Sequence, residues 1–397
     1  MKPETKIVHT AYPQPDAYGA LAMPVYHTLA YEFNNATEMA DAFCGRTDAP
    51  DYSRVTNPTV IHFERIIRGL TGARDVVALT SGMAAISNAI MSVATAGKTN
   101  VTSRHLFGNT YLLLTQTLKR FGVNTVLCDL TNPDEVEQVI KANPDTCCVF
   151  LEILTNPQLE VADVRALAQI AHSHGVALMA DTTMIPFTHF SAKALGVDVE
   201  VVSSTKYVSG GATSLGGLVI DYGTLPDFDK VMRKDLLMNL GAYMSPHAAY
   251  MQTLGLETLH TRYATQEANA LQVAKLLNAM SGVKVTYPGL DSNPYHTLCM
   301  DQYCGHSGAM ISFELGSERE CFAFINALKV VKRATNLFDN RTLAIHPAST
   351  IFGPLTPQQR HEMDISDKLI RLSVGLEAPT DIFADLQQAI LYAQQSN

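Results

Sequence analysis

The chain has 397 residues, 47% of them hydrophobic, and a net charge of −9 at pH 7. That is more than one core usually holds, so one large and one smaller domain are expected. No run of Lys or Arg is long enough to track phosphates, which argues against nucleic acid, and no segment approaches the roughly 18 uninterrupted apolar residues of a membrane helix.

The opening MKPETKIVHTAYPQPDAYG lacks the apolar stretch of a signal peptide, and the seven cysteines include no CxxC pair, so they read as reduced thiols of a cytoplasmic protein. Residues 1–57 read as an irregular arm, with prolines at 3, 13, 15, 24 and 50, ending in the loop-like YSRVTNPT. Such an arm should lie on another surface. From residue 75 short strand-like runs alternate with longer periodic ones: DVVALT and MAAISNAIMSVATAG, NVTS and TYLLLTQTLKRFG, VNTVLC and DEVEQVIKAN, CCVFLE and VRALAQIAHSHG, then VALMA and VEVVSS. Val- and Leu-rich strands between helices predict a mostly parallel sheet in a three-layer α/β/α domain, residues 58–252. The long amphipathic segment HAAYMQTLGLETLHTRYATQEANALQVAKLLNAM leads into residues 253–397. There KVTY, AMISFEL, CFAFINALK, LIRLSVGLE and TDIFADLQQAILYAQQ mix strand and helix patterns, predicting a smaller C-terminal α+β domain.

Ligands of open α/β sheets bind beyond the carboxyl ends of the strands. Three polar groups fall there. Ser81-Gly82-Met83 follows a strand and opens a helix, whose free N–H groups and dipole favour an anion. Asp181 follows VALMA, and Ser203, Thr205 and Lys206 close VEVVSS. Taken singly, these read equally as an N-cap, a turn residue and a solvated strand end. Together they suit a ligand with a phosphate, a protonatable ring nitrogen and an aldehyde. Pyridoxal 5'-phosphate (PLP) has all three, and a lysine amine reacts with its aldehyde while a carboxylate holds the ring proton. Rival phosphate loops fail, because SGGATSLGG lacks a Gly-Lys-Ser/Thr ending and no GxGxxG opens a helix. His172 and His174 are spaced wrongly on a helix to share a metal, and Cys147-Cys148 reads as strand packing. No metal site is expected.

Over essentially its whole length the chain resembles the Cys/Met-metabolism family of PLP enzymes, fold type I, which includes cystathionine γ-synthase, methionine γ-lyase and O-acetylhomoserine sulfhydrylase. The matching stretches are LAMPVYHTLAYEF, YSRVTNPT, TSGMAAI, LFGNTY, EILTNP, DTTMIPF, SSTKYVSGGATSLGG, LGLETL, IHPAST and RLSVGLE. The resemblance implies that Lys206 carries the cofactor and shuttles protons, and that Asp181 pairs with the ring nitrogen. Ser81, Gly82, Met83, Ser203 and Thr205 would serve the phosphate, with Tyr52 and Arg54 reaching it from a neighbouring subunit. Phe107 would stack on the ring and Asn156 would sit near its phenolic oxygen. Arg371 would grip the α-carboxylate of an amino-acid substrate by a two-pronged hydrogen bond, with Asn336 beside it. The implied assembly is a homo-oligomer, at least a dimer, with a tetramer expected. Without the resemblance, Tyr52 and Arg54 read as a surface loop pair, and Arg371 as a strand-end charge with an acid partner such as Glu377.

The departures bear on the reaction. Where methionine γ-lyases typically show Tyr-Gly-Cys-Thr, this chain has Phe107-Gly108-Asn109-Thr110. The phenol is gone, and expelling a thiolate gains more from a nearby acid than expelling acetate does. GGATSLGGLVID also looks like the sulfhydrylases' form of the loop after the lysine, and Thr182 replaces the usual asparagine. The expectation is PLP-dependent γ-replacement on O-acetylhomoserine, in methionine biosynthesis. Next comes a methionine or homocysteine γ-lyase with Tyr52 as the catalytic acid, then cystathionine γ-synthase. A cofactor-binding regulator is disfavoured by the lack of an effector region.

Overall fold

In the computed structural model, which describes residues 1–12 and 16–395, the predicted strands form, and all but the third, a half-buried edge strand, are buried on both faces. They are β1 (Asp75–Leu79), β2 (Thr99–Ser103), β3 (Asn124–Cys128), β4 (Thr146–Glu152), β5 (Ala177–Asp181) and β6 (Val199–Val202). Alternate residues feed two separate apolar clusters. Val76, Ala78, Val149, Leu151, Leu178 and Ala180 point into one, and Val77, Leu79, Cys148, Phe150, Ala177 and Met179 into the other. This two-sided burial is what a sheet covered by helices on both faces requires.

A further strand, β7 (Gly217–Asp221), completes the sheet in the order β1-β7-β6-β5-β4-β2-β3. Strands β2 to β6 pair in parallel, whereas β7 runs antiparallel to both β1 and β6. Since β7 reverses twice, β1 points the same way as β4, β5 and β6. Their carboxyl ends therefore share one edge of the sheet. The segment GGLVID carries β7, where the sequence had been read as loop.

The second sheet contains β8 (Lys284–Thr286), β9 (Met310–Glu314), β10 (Lys332–Arg333), β11 (Leu343–Ile345) and β12 (Leu369–Ser373), in the order β10-β11-β12-β9-β8. The helices Pro246–Glu257 and Leu259–Asn278 connect the two sheets, and the proposed boundary after residue 252 lies within the first of them. One apolar cluster continues from the large sheet to Phe313, Phe324 and Ile370 of the smaller one.

The arm departs from the irregular chain expected. It contains helices Pro3–His9 and Ala36–Phe43. The first starts with proline, Glu4 lies in its first turn and Ile7 is buried; the second is capped by the Asn35 side chain, which accepts from the Glu38 N–H. Between them, Tyr18, Leu21 and Leu29 face solvent in the single chain. Pro13 and Pro15 lie outside the described residues. Among the described residues, no helix is long and apolar enough to cross a membrane.

Candidate active site

A cavity of about 600 Å³ opens at the shared carboxyl edge of the large sheet, and Thr335, Leu337, Thr350, Ile351 and Arg371 of the smaller domain form part of its wall. Its wall contains Ser81, Gly82, Met83, Phe107, Asn156, Asp181, Ser203, Thr205, Lys206 and Arg371. These residues come from loops after β1, β2, β4, β5 and β6, and from β12.

Ser81 caps the helix Gly82–Met91, accepting from the Ala84 N–H at 3.1 Å. The Gly82 backbone approaches the turn after β6 so closely that an added Cβ would lie 2.6 Å from Ser203. Only glycine allows the helix start and the Ser203–Lys206 turn to face one small anion together. Thr205 exchanges hydrogen bonds through its hydroxyl with Gly216, accepting its N–H at 3.0 Å and donating to its carbonyl at 3.1 Å. This exchange fixes the turn that presents Lys206.

The Lys206 ammonium is largely buried and donates to Oδ1 of Asn336 at 2.9 Å. Burial, followed by the Arg371 cation, brings its pKa down from 10.5 to about 8, with Asp181 opposing. Asp181 Oδ1 accepts the Thr183 N–H at 2.9 Å, and burial raises the pKa of its carboxyl. Asn336 is not in the cavity wall. It instead bridges two cations, because its carbonyl also accepts from Nη2 of Arg371 at 3.3 Å.

Arg371 is buried in β12, and its Nη1 donates to Oδ1 of Asn156 at 3.2 Å. The acid partner considered for it from sequence is committed elsewhere: Glu377 accepts the backbone N–H of Thr342 at 2.7 Å and its hydroxyl at 2.8 Å. Nε of Arg371 has no hydrogen-bond partner among the described residues, and burial lowers the guanidinium pKa to about 9. A buried guanidinium without a carboxylate is a receptor for an anionic ligand.

Tyr52 and Arg54 do not line this cavity. Tyr52 is partly exposed, the Arg54 guanidinium sits 5.5 Å over its ring, and Arg54 also donates to the Met238 carbonyl. The histidines of the HxH go separate ways, His172 to Asp198 at 2.9 Å and His174 to Glu137 at 3.5 Å. Cys147 and Cys148 both approach Oδ1 of Asn100. Thr182 donates its hydroxyl to Glu200, a fully buried acid that also accepts from the Tyr222 hydroxyl.

Sequence reasoning passed over Thr183 and Glu152, which also line the cavity, as does Asn109 of the Phe107 loop. Thr183 accepts the Ser203 N–H at 2.8 Å, joining the Asp181 loop to the Lys206 turn. Glu152 carried a signal, an acid ending an otherwise apolar strand. It pairs in register with Asp181 across β4 and β5.

A family model described as Cys/Met metabolism PLP-dependent enzyme matches residues 4–391. L-methionine gamma-lyase of Porphyromonas gingivalis is 38% identical over 381 residues, covering 94% of each chain. O-succinylhomoserine sulfhydrylase of Pseudomonas aeruginosa is 37% identical over 368 residues, covering 92% of this chain and 90% of its own. The solved structure of a candidate O-acetylhomoserine (thiol)-lyase from Campylobacter jejuni superposes with a TM-score of 0.94 at 32% identity, covering 98% of this chain and all of that one. It contains N'-pyridoxyl-lysine-5'-monophosphate.

Proposed function

Since the chain belongs to the Cys/Met-metabolism family of PLP-dependent enzymes, we propose that it replaces the γ-substituent of O-acetylhomoserine with sulfide or a small thiol. The products are homocysteine or methionine, and acetate. The cavity fits PLP at its phosphate end, where the close approach at Gly82 gathers helix-start N–H groups beside Ser203, while the partnerless buried Nε of Arg371 is left for the carboxylate of an amino-acid substrate.

Bound PLP supplies an electron-accepting ring that makes hydrogens at Cα and Cβ of an attached amino acid acidic. In this reading Lys206 holds the cofactor and moves protons, helped by a pKa brought down to about 8. Asp181 holds the proton on the ring nitrogen. Arg371 binds the α-carboxylate and Asn156 orients the guanidinium through their 3.2 Å contact. Phe107 supplies a flat apolar surface and excludes water. The Cγ–O bond breaks, acetate leaves with the electron pair, and sulfide forms the Cγ–S bond.

The observation that carries the choice of leaving group is the position of Phe107 in the cavity wall, where it presents no proton. Acetate departs without an acid far more readily than a thiolate does. Among the described residues Lys206 and Arg371 are the cationic side chains this chain brings to the cavity wall, and Arg54 of a second copy is assigned to the phosphate, so a succinyl carboxylate or the carboxylate of cysteine has no further cation assigned to it. This favours the acetyl ester over the succinyl ester and over cystathionine synthesis. The second reading, γ-elimination from methionine or homocysteine, draws support from the 38% identity to an L-methionine gamma-lyase and needs Tyr52 of a second copy as the acid.

Tyr52 and Arg54 lie away from their own chain's cavity, which supports a homo-oligomer in which each arm completes a neighbour's phosphate site; the proposed assembly is a cytoplasmic tetramer built from dimers. The deciding experiment is a substrate panel: O-acetylhomoserine with and without sulfide, methionine, homocysteine, and O-succinylhomoserine with cysteine. Fastest turnover of O-acetylhomoserine with sulfide supports the reading, and fastest release of methanethiol from methionine overturns it.

A further inference from the structure

We infer that Glu152 is a positioning residue for the cofactor, tying the loop that carries Phe107 to the loop that carries Asn156. Its Oε1 accepts the Phe107 N–H at 2.7 Å and its Oε2 accepts the Asn156 N–H at 3.3 Å. The two loops belong to different βα units, one after β2 and the other after β4, and among the described residues no hydrogen bond joins Phe107 to Asn156 directly. One carboxyl group therefore sets where the stacking ring lies relative to the amide that faces the ring oxygen.

The surroundings of Glu152 are unusual for a structural acid. It is buried, faces the cavity and, among the described residues, has no Arg, Lys or His within ion-pair distance, although a buried charge ordinarily requires such a partner. Its neighbour across the strand pair is Asp181. Two adjacent buried carboxyls do not both ionise readily, and burial together with Asp181 pushes Glu152 up to about 8. Glu152 thus offers oxygen acceptors to two N–H groups without placing a second full negative charge beside Asp181. Asp181 is left to serve the ring nitrogen alone.

The inference rests on the family's cofactor and is independent of the γ-substituent the enzyme accepts. It is tested by resolving the enzyme to apoprotein and titrating PLP back into the native protein, Glu152→Gln and Glu152→Ala. The readouts are the dissociation constant and the circular dichroism of the bound cofactor band, with thermal unfolding of each apoprotein as a control.

Glu152→Ala strands two N–H groups, and losing such acceptors is worth roughly a factor of ten or more in affinity. The account expects that loss together with a weakened cofactor dichroism band. Glu152→Gln keeps the oxygen facing Phe107 but sets its NH2 against the Asn156 N–H, so it should bind PLP between native and Ala and keep part of the band. Native affinity and native dichroism in Glu152→Ala would overturn the inference. So would Glu152→Gln as impaired as Ala in a protein of native thermal stability, since the acceptor restored to the Phe107 N–H would then contribute nothing. If Glu152→Ala does not fold, the Gln result decides by itself. None of these readouts uses a substrate, so they stand whether or not O-acetylhomoserine is turned over.

Discussion

Asn336 binds Lys206 through its side chain and Arg371 through its backbone, at 2.9 Å and 3.3 Å. The residue proposed to move protons and the residue proposed to grip the substrate are thereby held by one amide residue from the small domain. Replacing Asn336 by Ala frees the Lys206 amine while leaving the backbone contact to Arg371. We expect kcat to fall on the order of 10²-fold through misplacement of the amine, with KM changed far less. Borohydride should still reduce the cofactor onto the peptide containing Lys206. A KM increase without a kcat decrease would assign Asn336 to substrate binding instead.

After burial, the Arg371 cation also lowers the pH at which Lys206 loses its proton. Its positive charge stands second to burial among the causes that bring the amine from 10.5 to about 8. The neutral amine is the form that attacks the cofactor aldehyde. Capture of PLP by apoprotein should therefore speed up as pH rises through about 8 and level off above it. With Arg371→Leu the cation is gone, so the midpoint should move upward, measured by stopped-flow absorbance. The same variant should lose substrate affinity by about 10²-fold or more, as expected for deleting one partner of a buried charge pair. An unchanged midpoint would mean that the two cations are not coupled.

Tyr52 and Arg54 test the assembly. If they complete the phosphate site of a second copy, mixing Lys206→Ala chains with Arg54→Ala chains should restore one sound site in each mixed dimer. Activity should rise well above either parent after subunit exchange. No rescue in confirmed mixed dimers would place the whole site within one chain.

Much of the cavity could be read from the chain because its parts sit at strand ends. Asp181 closes β5, Lys206 follows β6, and Ser81 precedes a helix, so each has a local signature. The cluster of Arg371, Asn156 and Asn336 has none. Arg371 and Asn156 are 215 positions apart, and only folding of the small domain onto the large one brings them together. Glu152 was passed over because an acid at the end of a buried strand looks like a routine exit to solvent. β7 was taken for loop because its apolar core is short and follows a glycine-rich stretch, and nothing local announces a reversed strand inside a parallel sheet. The arm helices are short, and Asn35 is a cap whose signal is easily hidden among turn residues.

Phe107 is where the account can be tested most directly. The measurement is kcat/KM for O-acetylhomoserine with sulfide and for methionine, in the native enzyme and in Phe107→Tyr. The ring surface is nearly unchanged by the substitution, so the comparison isolates one added proton donor, an effect of roughly 10²–10⁴-fold where general acid catalysis is needed. The account predicts that the native enzyme prefers O-acetylhomoserine, and that Phe107→Tyr raises methionine cleavage more than O-acetylhomoserine turnover. A native enzyme that already prefers methionine, or a substitution that helps both substrates equally, would contradict it and put γ-elimination in its place.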